Sequence, residues 1–151
     1  MRPQSIVRFE LAYLASVLLW LVHLVLGWNT QMNVIERYPA ARGNPQMVDF
    51  IQNGLFVIYA IGLVVWLLLA YLAGRRASNA AKWVLVVFLG LSALSLLAIV
   101  PNLGQVNGIS LALSLLTFVA NAYAVFMLFR PDAKAWFDDM PSADAQVETF
   151  D

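Results

Sequence analysis

Four stretches of about twenty residues, at 9–28, 50–73, 82–100 and 109–129, carry no Lys, Arg, Asp or Glu except Glu10 and Lys82 at their ends. A helix rises about 1.5 Å per residue, so each stretch can cross a hydrocarbon core about 30 Å thick. Transmembrane strands would instead show segments of roughly ten residues alternating apolar and polar, and four of them could not close a cylinder. Composition points the same way. Of 151 residues, 62% are hydrophobic and 12% charged, more apolar surface than one soluble core of this size can hide. The pattern predicts an all-α, polytopic membrane protein: a four-transmembrane-helix antiparallel bundle with a short C-terminal interfacial helix at 132–140.

The first stretch follows Arg2 and Arg8, as a secretory signal would, but it is long and ends in Gly27-Trp28-Asn29 without a small-x-small cleavage pattern. It reads as an uncleaved anchor. Between Asn29 and Asp49 lie Pro39, Gly43 and Pro45, and a continuous helix is not expected there; this is the one sizeable loop. Gly74 is expected to close the second helix, with Ser78 or Asn79 capping the third. Pro101 with Asn102 ends the third, and Asn107-Gly108 starts the fourth. These short links make helices two, three and four antiparallel neighbours. Residues 1–140 thus form one membrane domain. In its last segment Ala133, Trp136, Phe137 and Met140 share a face, with Asp132, Asp138 and Asp139 elsewhere. An acidic, loosely ordered tail is expected at 141–151.

Basic residues set the expected orientation. Arg2, Arg8, Arg75, Arg76, Lys82, Arg130 and Lys134 fall on one side, and only Arg37 and Arg42 on the other, which predicts cytoplasmic N and C termini. Arg75, Arg76, Lys82, Arg130, Lys134 and Trp136 are the expected lipid-headgroup anchors. Glu10 is expected in the first helical turn, where a negative charge meets the positive helix end.

Several function classes are excluded. Nine basic residues balance nine acidic ones, so no nucleic-acid partner is implied. The absence of cysteine removes thiolate catalysis, disulfide exchange and Cys-ligated metals, and a single histidine leaves no set of zinc ligands. No nucleophile–base pair, phosphate-cradling loop or paired catalytic carboxylates stand out. No cofactor, metal or catalytic residue is expected.

Polar residues inside spans mark the faces that look inward. Helix one carries Tyr13, Ser16, Trp20, His23 and Gly27 at steps of three and four; helix two carries Asp49, Gln52, Asn53, Phe56 and Tyr59; helix three offers Ser92 and Ser95. Ser110, Ser114, Thr117 and Asn121 form the longest polar stripe, on helix four. These positions have two readings. They are packing contacts, in which small and hydroxylated side chains trade interhelical hydrogen bonds. Alternatively His23, Asp49, Gln52, Asn53 and Tyr59 form an outward-opening ligand pocket between helices one and two, in which Asp49 orients or charges His23.

Three stretches carry a resemblance: Ile6-Val7-Arg8-Phe9-Glu10-Leu11-Ala12-Tyr13-Leu14, Arg75-Arg76-Ala77-Ser78-Asn79-Ala80-Ala81-Lys82-Trp83, and Leu128-Phe129-Arg130-Pro131-Asp132-Ala133-Lys134-Ala135-Trp136-Phe137. Together they resemble uncharacterised small bacterial inner-membrane proteins with four predicted transmembrane helices. The resemblance implies a bacterial inner-membrane location and supplies no reaction or ligand. The function expected first is that of a small membrane accessory or scaffold protein, assembling with itself or a larger complex among membrane lipids. It rests on the lack of a catalytic constellation and on small-xxx-small spacings such as Ser110 with Ser114. The alternative is a small-molecule or lipid binder or transporter using the pocket around His23.

Overall fold

The computed structural model describes residues 2–39, 41–101 and 106–138. Among these the chain forms α1 (Gln4–Arg37), α2 (Pro45–Arg75), α3 (Asn79–Ile99), α4 (Gly108–Met127) and the short α5 (Pro131–Asp138). The expected segment 141–151, and with it Met140 and Asp139, lies outside the described residues. Between 6% and 22% of the most apolar window of each long helix is buried inside the protein. Leu11, Val64, Leu94 and Val119, each more than 60% exposed, need lipid rather than water around them. The chain is a multi-pass, all-α membrane protein.

The helix ends follow from local chemistry. Pro39 disfavours helical backbone at the residue before it, and Tyr38 is extended at ψ 138°, so α1 stops at Arg37. Gly43 then takes φ +75°, Asn44 accepts from the Met47 amide at 3.2 Å, and Pro45 opens α2. The expected loop from Asn29 to Asp49 is therefore only a tight turn around 38–44. Residues 29–37 contain neither Pro nor Gly, and Trp28, Gln31, Met32 and Ile35 keep a half-buried helical stripe going. Ser78 caps α3 by accepting from Ala81, and Asn107 caps α4 by accepting from Ile109. Gly74 does not close α2. The helix runs to Arg75, and the chain turns through Ala77 at φ 47°. Gly74 instead makes room for Glu10, whose carboxylate oxygen would lie 2.7 Å from a Cβ there. Glu10 also sits beyond the first turn of α1. Arg2 at 2.9 Å and Arg75 at 3.2 Å neutralise it, in place of the helix dipole.

The long helices pack as a ring, α1 to α2 to α3 to α4 and back to α1, with α1 and α4 most closely joined. Their antiparallel register is regular. From the Ser16–Asn121 contact to the His23–Ser114 contact is seven residues along each helix, two helical turns. Extrapolated, the start of α4 lies level with Asn29. Since 34 residues of helix measure about 51 Å, the end of α1 projects well past α4, together with the start of α2.

Among the described residues, tight packing between helices is concentrated at the end where α1 begins and α4 ends. Ala70, Ala73, Ala77, Ala81 and Ala124 let the backbones approach, and Ile6, Phe9 and Leu128 fill the remaining space. α5 folds back on this end through buried Ala133 and Phe137. Its Asp132 accepts from the Ser5 hydroxyl and, at 3.2 Å, from the Ser5 amide, satisfying a donor in the first turn of α1 that Pro3 cannot cap. The Ser5 side chain, and with it that amide, holds the Asp132 carboxyl below its ordinary value of 3.8.

Two outcomes follow from this end. Ala124→Leu, which forces a larger side chain into a fully buried contact, lowers bundle stability by about 1–3 kcal/mol, whereas exposed Leu116→Ala changes it by no more than about 0.5 kcal/mol in thermal unfolding. Asp132→Ala lowers the unfolding midpoint at neutral pH. A depressed folded-state pKa contributes stability above the unfolded value and loses it as pH falls through the folded one, so wild type and variant converge below about pH 4.

Candidate functional site

Beyond the packed end, the four long helices enclose a cavity of about 370 Å³. Its floor is Tyr13 and Leu85, next to the buried core, and its lining reaches Gln31 on α1 and Ile99 at the end of α3. Bulky rings hold this half open. Trp20 meets Trp66 edge to face at 4.8 Å and Tyr59 at 5.9 Å, closing the α1–α2 wall, while Phe88 and Phe118 line the α3–α4 side. Trp28 stacks on Phe56 at 4.5 Å nearer the projecting turn.

Polar groups are set into these apolar walls. Ser16 donates to the Tyr13 carbonyl at 2.7 Å and shares the same proton with the Asn121 amide oxygen at 3.2 Å. Ser92, Ser95, Ser114 and Thr117 donate to the carbonyls of Phe88, Leu91, Ser110 and Leu113, the usual back-bond of a helical hydroxyl. Tyr59 donates to the Gln31 side chain at 3.1 Å. His23 Nδ1 lies 3.5 Å from the Ser114 hydroxyl. The lining contains no Asp, Glu, Lys or Arg, and among the described residues no three His, Cys, Asp or Glu come together to hold a metal.

The five residues expected to form a pocket divide. His23 and Tyr59 line the cavity; Asp49, Gln52 and Asn53 do not. Asp49 faces a separate hollow by the 38–44 turn with Glu36 and Asn44. The cause is the length of α1. Because it stays helical to Arg37, the residue level with Asp49 is Glu36, thirteen residues and about 20 Å beyond His23. His23 turns instead to Ser114 of α4. On the α4 stripe, Ser114, Thr117 and Asn121 line the cavity, and Ser110 contributes its carbonyl to Ser114. The site is thus shared by all four long helices rather than held between the first two. Gln31 and Trp66 were not among the expected site residues. Gln31 was hidden by the expectation of a loop, and Trp66 by an apolar helix with no polar neighbour to mark its face.

The expected headgroup anchors all lie at the opposite, packed end, but not all as free cations. Arg75 pairs with Glu10, and Arg76, Arg130 and Lys134 are exposed. Lys82 is only 7% exposed, its ammonium 4.3 Å from the Phe129 ring centroid and 4.9 Å from that of Phe137. Trp136 is half-buried, and its indole N–H has no partner among the described residues. α5 packs these aromatics onto the protein, which leaves Lys82 and Trp136 little access to lipid.

Neither family models, nor curated proteins, nor solved structures match this chain.

The geometry separates two kinds of polar residue. Asn121→Leu removes the contact to Ser16 that ties α4 to α1 and lowers thermal stability by about 0.6–1.7 kcal/mol. Asp49→Asn, outside the cavity and exposed, leaves the unfolding midpoint unchanged.

Proposed function

We propose that this protein is a membrane-embedded binder of a small, partly apolar molecule, held in the cavity between the four long helices. One observation carries the reading: an apolar-walled space of about 370 Å³ with a few convergent polar groups, within the range of ordinary ligand pockets of about 300–1,000 Å³. The packed core beneath Tyr13 supports loading and release from one side rather than passage through the bundle. The proposal includes a bacterial inner membrane with both termini in the cytoplasm. The bias of basic residues toward the end that carries them supports this orientation, and the cavity then loads from the periplasmic half.

The accessory or scaffold role is the second reading. It is favoured by the projecting α1–α2 turn, where Val34, Tyr38 and Phe50 are exposed beyond the level of α4.

Native mass spectrometry of protein extracted with its surrounding membrane tests the first reading. The wild type is expected to retain a molecule of roughly drug size. The double variant Ser92→Leu with Ser114→Leu fills the cavity and should lose it while keeping its helix content. An identical mass profile for the two, with nothing retained by the wild type alone, removes the cavity as a binding site. A second protein of fixed stoichiometry, lost when Tyr38 and Phe50 are both changed to Ser, would favour the scaffold reading.

A further inference from the structure

The ligand class of this cavity can be narrowed from where its protons go, an inference that rests on the binding reading above. Trp83 on α3 packs edge to face on Phe129 just after α4. Twelve residues up α3 from Trp83 is Ser95, and twelve residues back from Phe129 is Thr117. Ser95 therefore lies at about the depth of Thr117, with Ser92 about one turn nearer the floor and Ser114, where His23 meets it, about one turn nearer the mouth. These five side chains form a polar band nearly two turns deep along the cavity wall.

Every hydroxyl in the band has committed its single proton to a carbonyl of its own helix, at 2.8–3.0 Å. Each oxygen keeps lone pairs with which to accept from the cavity. With the Ser114 proton on the Ser110 carbonyl, the 3.5 Å approach suits the His23 tautomer in which Nδ1–H donates to the hydroxyl. In the neutral ring Nε2 is then another acceptor. Among the described residues, the lining donors without an acceptor are the Tyr13 hydroxyl and the Asn121 amide near the floor, the Gln31 amide near the mouth, and the indole N–H groups of Trp20 and Trp66. No lining side chain carries a fixed charge, so a charged ligand would leave water without a counter-ion.

We infer that the cavity takes an uncharged, largely apolar, ring-sized molecule bearing an O–H or N–H group, which it donates to the acceptor band of Ser92, Ser95, Ser114, Thr117 and His23. Phenols and ring-bearing alcohols fit. Carboxylates, phosphates and ammonium compounds do not.

Thermal unfolding in phosphatidylcholine nanodiscs at neutral pH tests this with four probes: 2-naphthol, its methyl ether 2-methoxynaphthalene, 2-naphthoate and 2-naphthylmethylammonium. Each is compared with the filled Ser92→Leu/Ser114→Leu variant, which cancels partition into the lipid. 2-Naphthol is expected to stabilise the wild type beyond the filled variant, and the other three are not. Ser95→Ala and Thr117→Val, which remove one acceptor each with little change of shape, should each weaken the 2-naphthol response by about threefold to tenfold. Equal stabilisation by the methyl ether overturns the donor requirement. Preferential stabilisation by either charged probe overturns the uncharged ligand while leaving the cavity a binding site. No probe distinguishing wild type from the filled variant overturns the binding reading itself.

Discussion

Side-chain size, graded along the bundle, decides the shape of this protein. At one end Ala70, Ala73, Gly74, Ala77, Ala81 and Ala124 let helix backbones approach closely. In lipid this closeness matters more than apolarity, since the surrounding tails are as apolar as the side chains and only better packing favours helix over lipid. At the other end Trp20, Trp66, Phe88 and Phe118 keep the same helices apart. The cavity follows from this gradient. It opens where small residues give way to rings.

The α1–α4 pair supplies the frame on which that gradient acts. Ser16 with Asn121 and His23 with Ser114 hold one register over two turns, and Asp132 extends the link past the end of α4 by capping α1. Hydrogen bonds between helices are individually modest in membranes, about 0.6 kcal/mol on average. Their common spacing makes them cooperate, because a slip of one residue would break all of them and turn the hydroxyls of α4 away from the cavity. Polar side chains that would be costly against lipid are thereby kept facing an enclosed space.

The same enclosure sets the chemistry available. Helical serines and threonines bond their own backbone when no stronger partner is present, which protects them from lipid and leaves their lone pairs facing inward. The charged residues are kept apart from this region. Glu10 is paired with Arg2 and Arg75, and Lys82 is covered by Phe129 and Phe137, all at the packed end. One half of the molecule therefore carries ion pairs and close contacts, and the other an uncharged cavity.

Much of this was written in the residues themselves. Runs of about twenty apolar residues must become helices in lipid, because no other local structure satisfies their backbone groups from within one segment. The inward faces of α1 and α4 were legible for the same reason, since polar residues at steps of three and four can only be kept from lipid on one side; His23, Ser114, Thr117 and Asn121 lie where that periodicity put them. The partners of those faces were not legible. Pro39, Gly43 and Pro45 marked a turn, but residues 29–37 also remained helical, which carried Asp49 about 20 Å past His23 and brought in Ser114 instead. Periodicity fixes which side of a helix faces inward. How far one helix slides along another depends on contacts summed over both surfaces, and only the assembled bundle decides that.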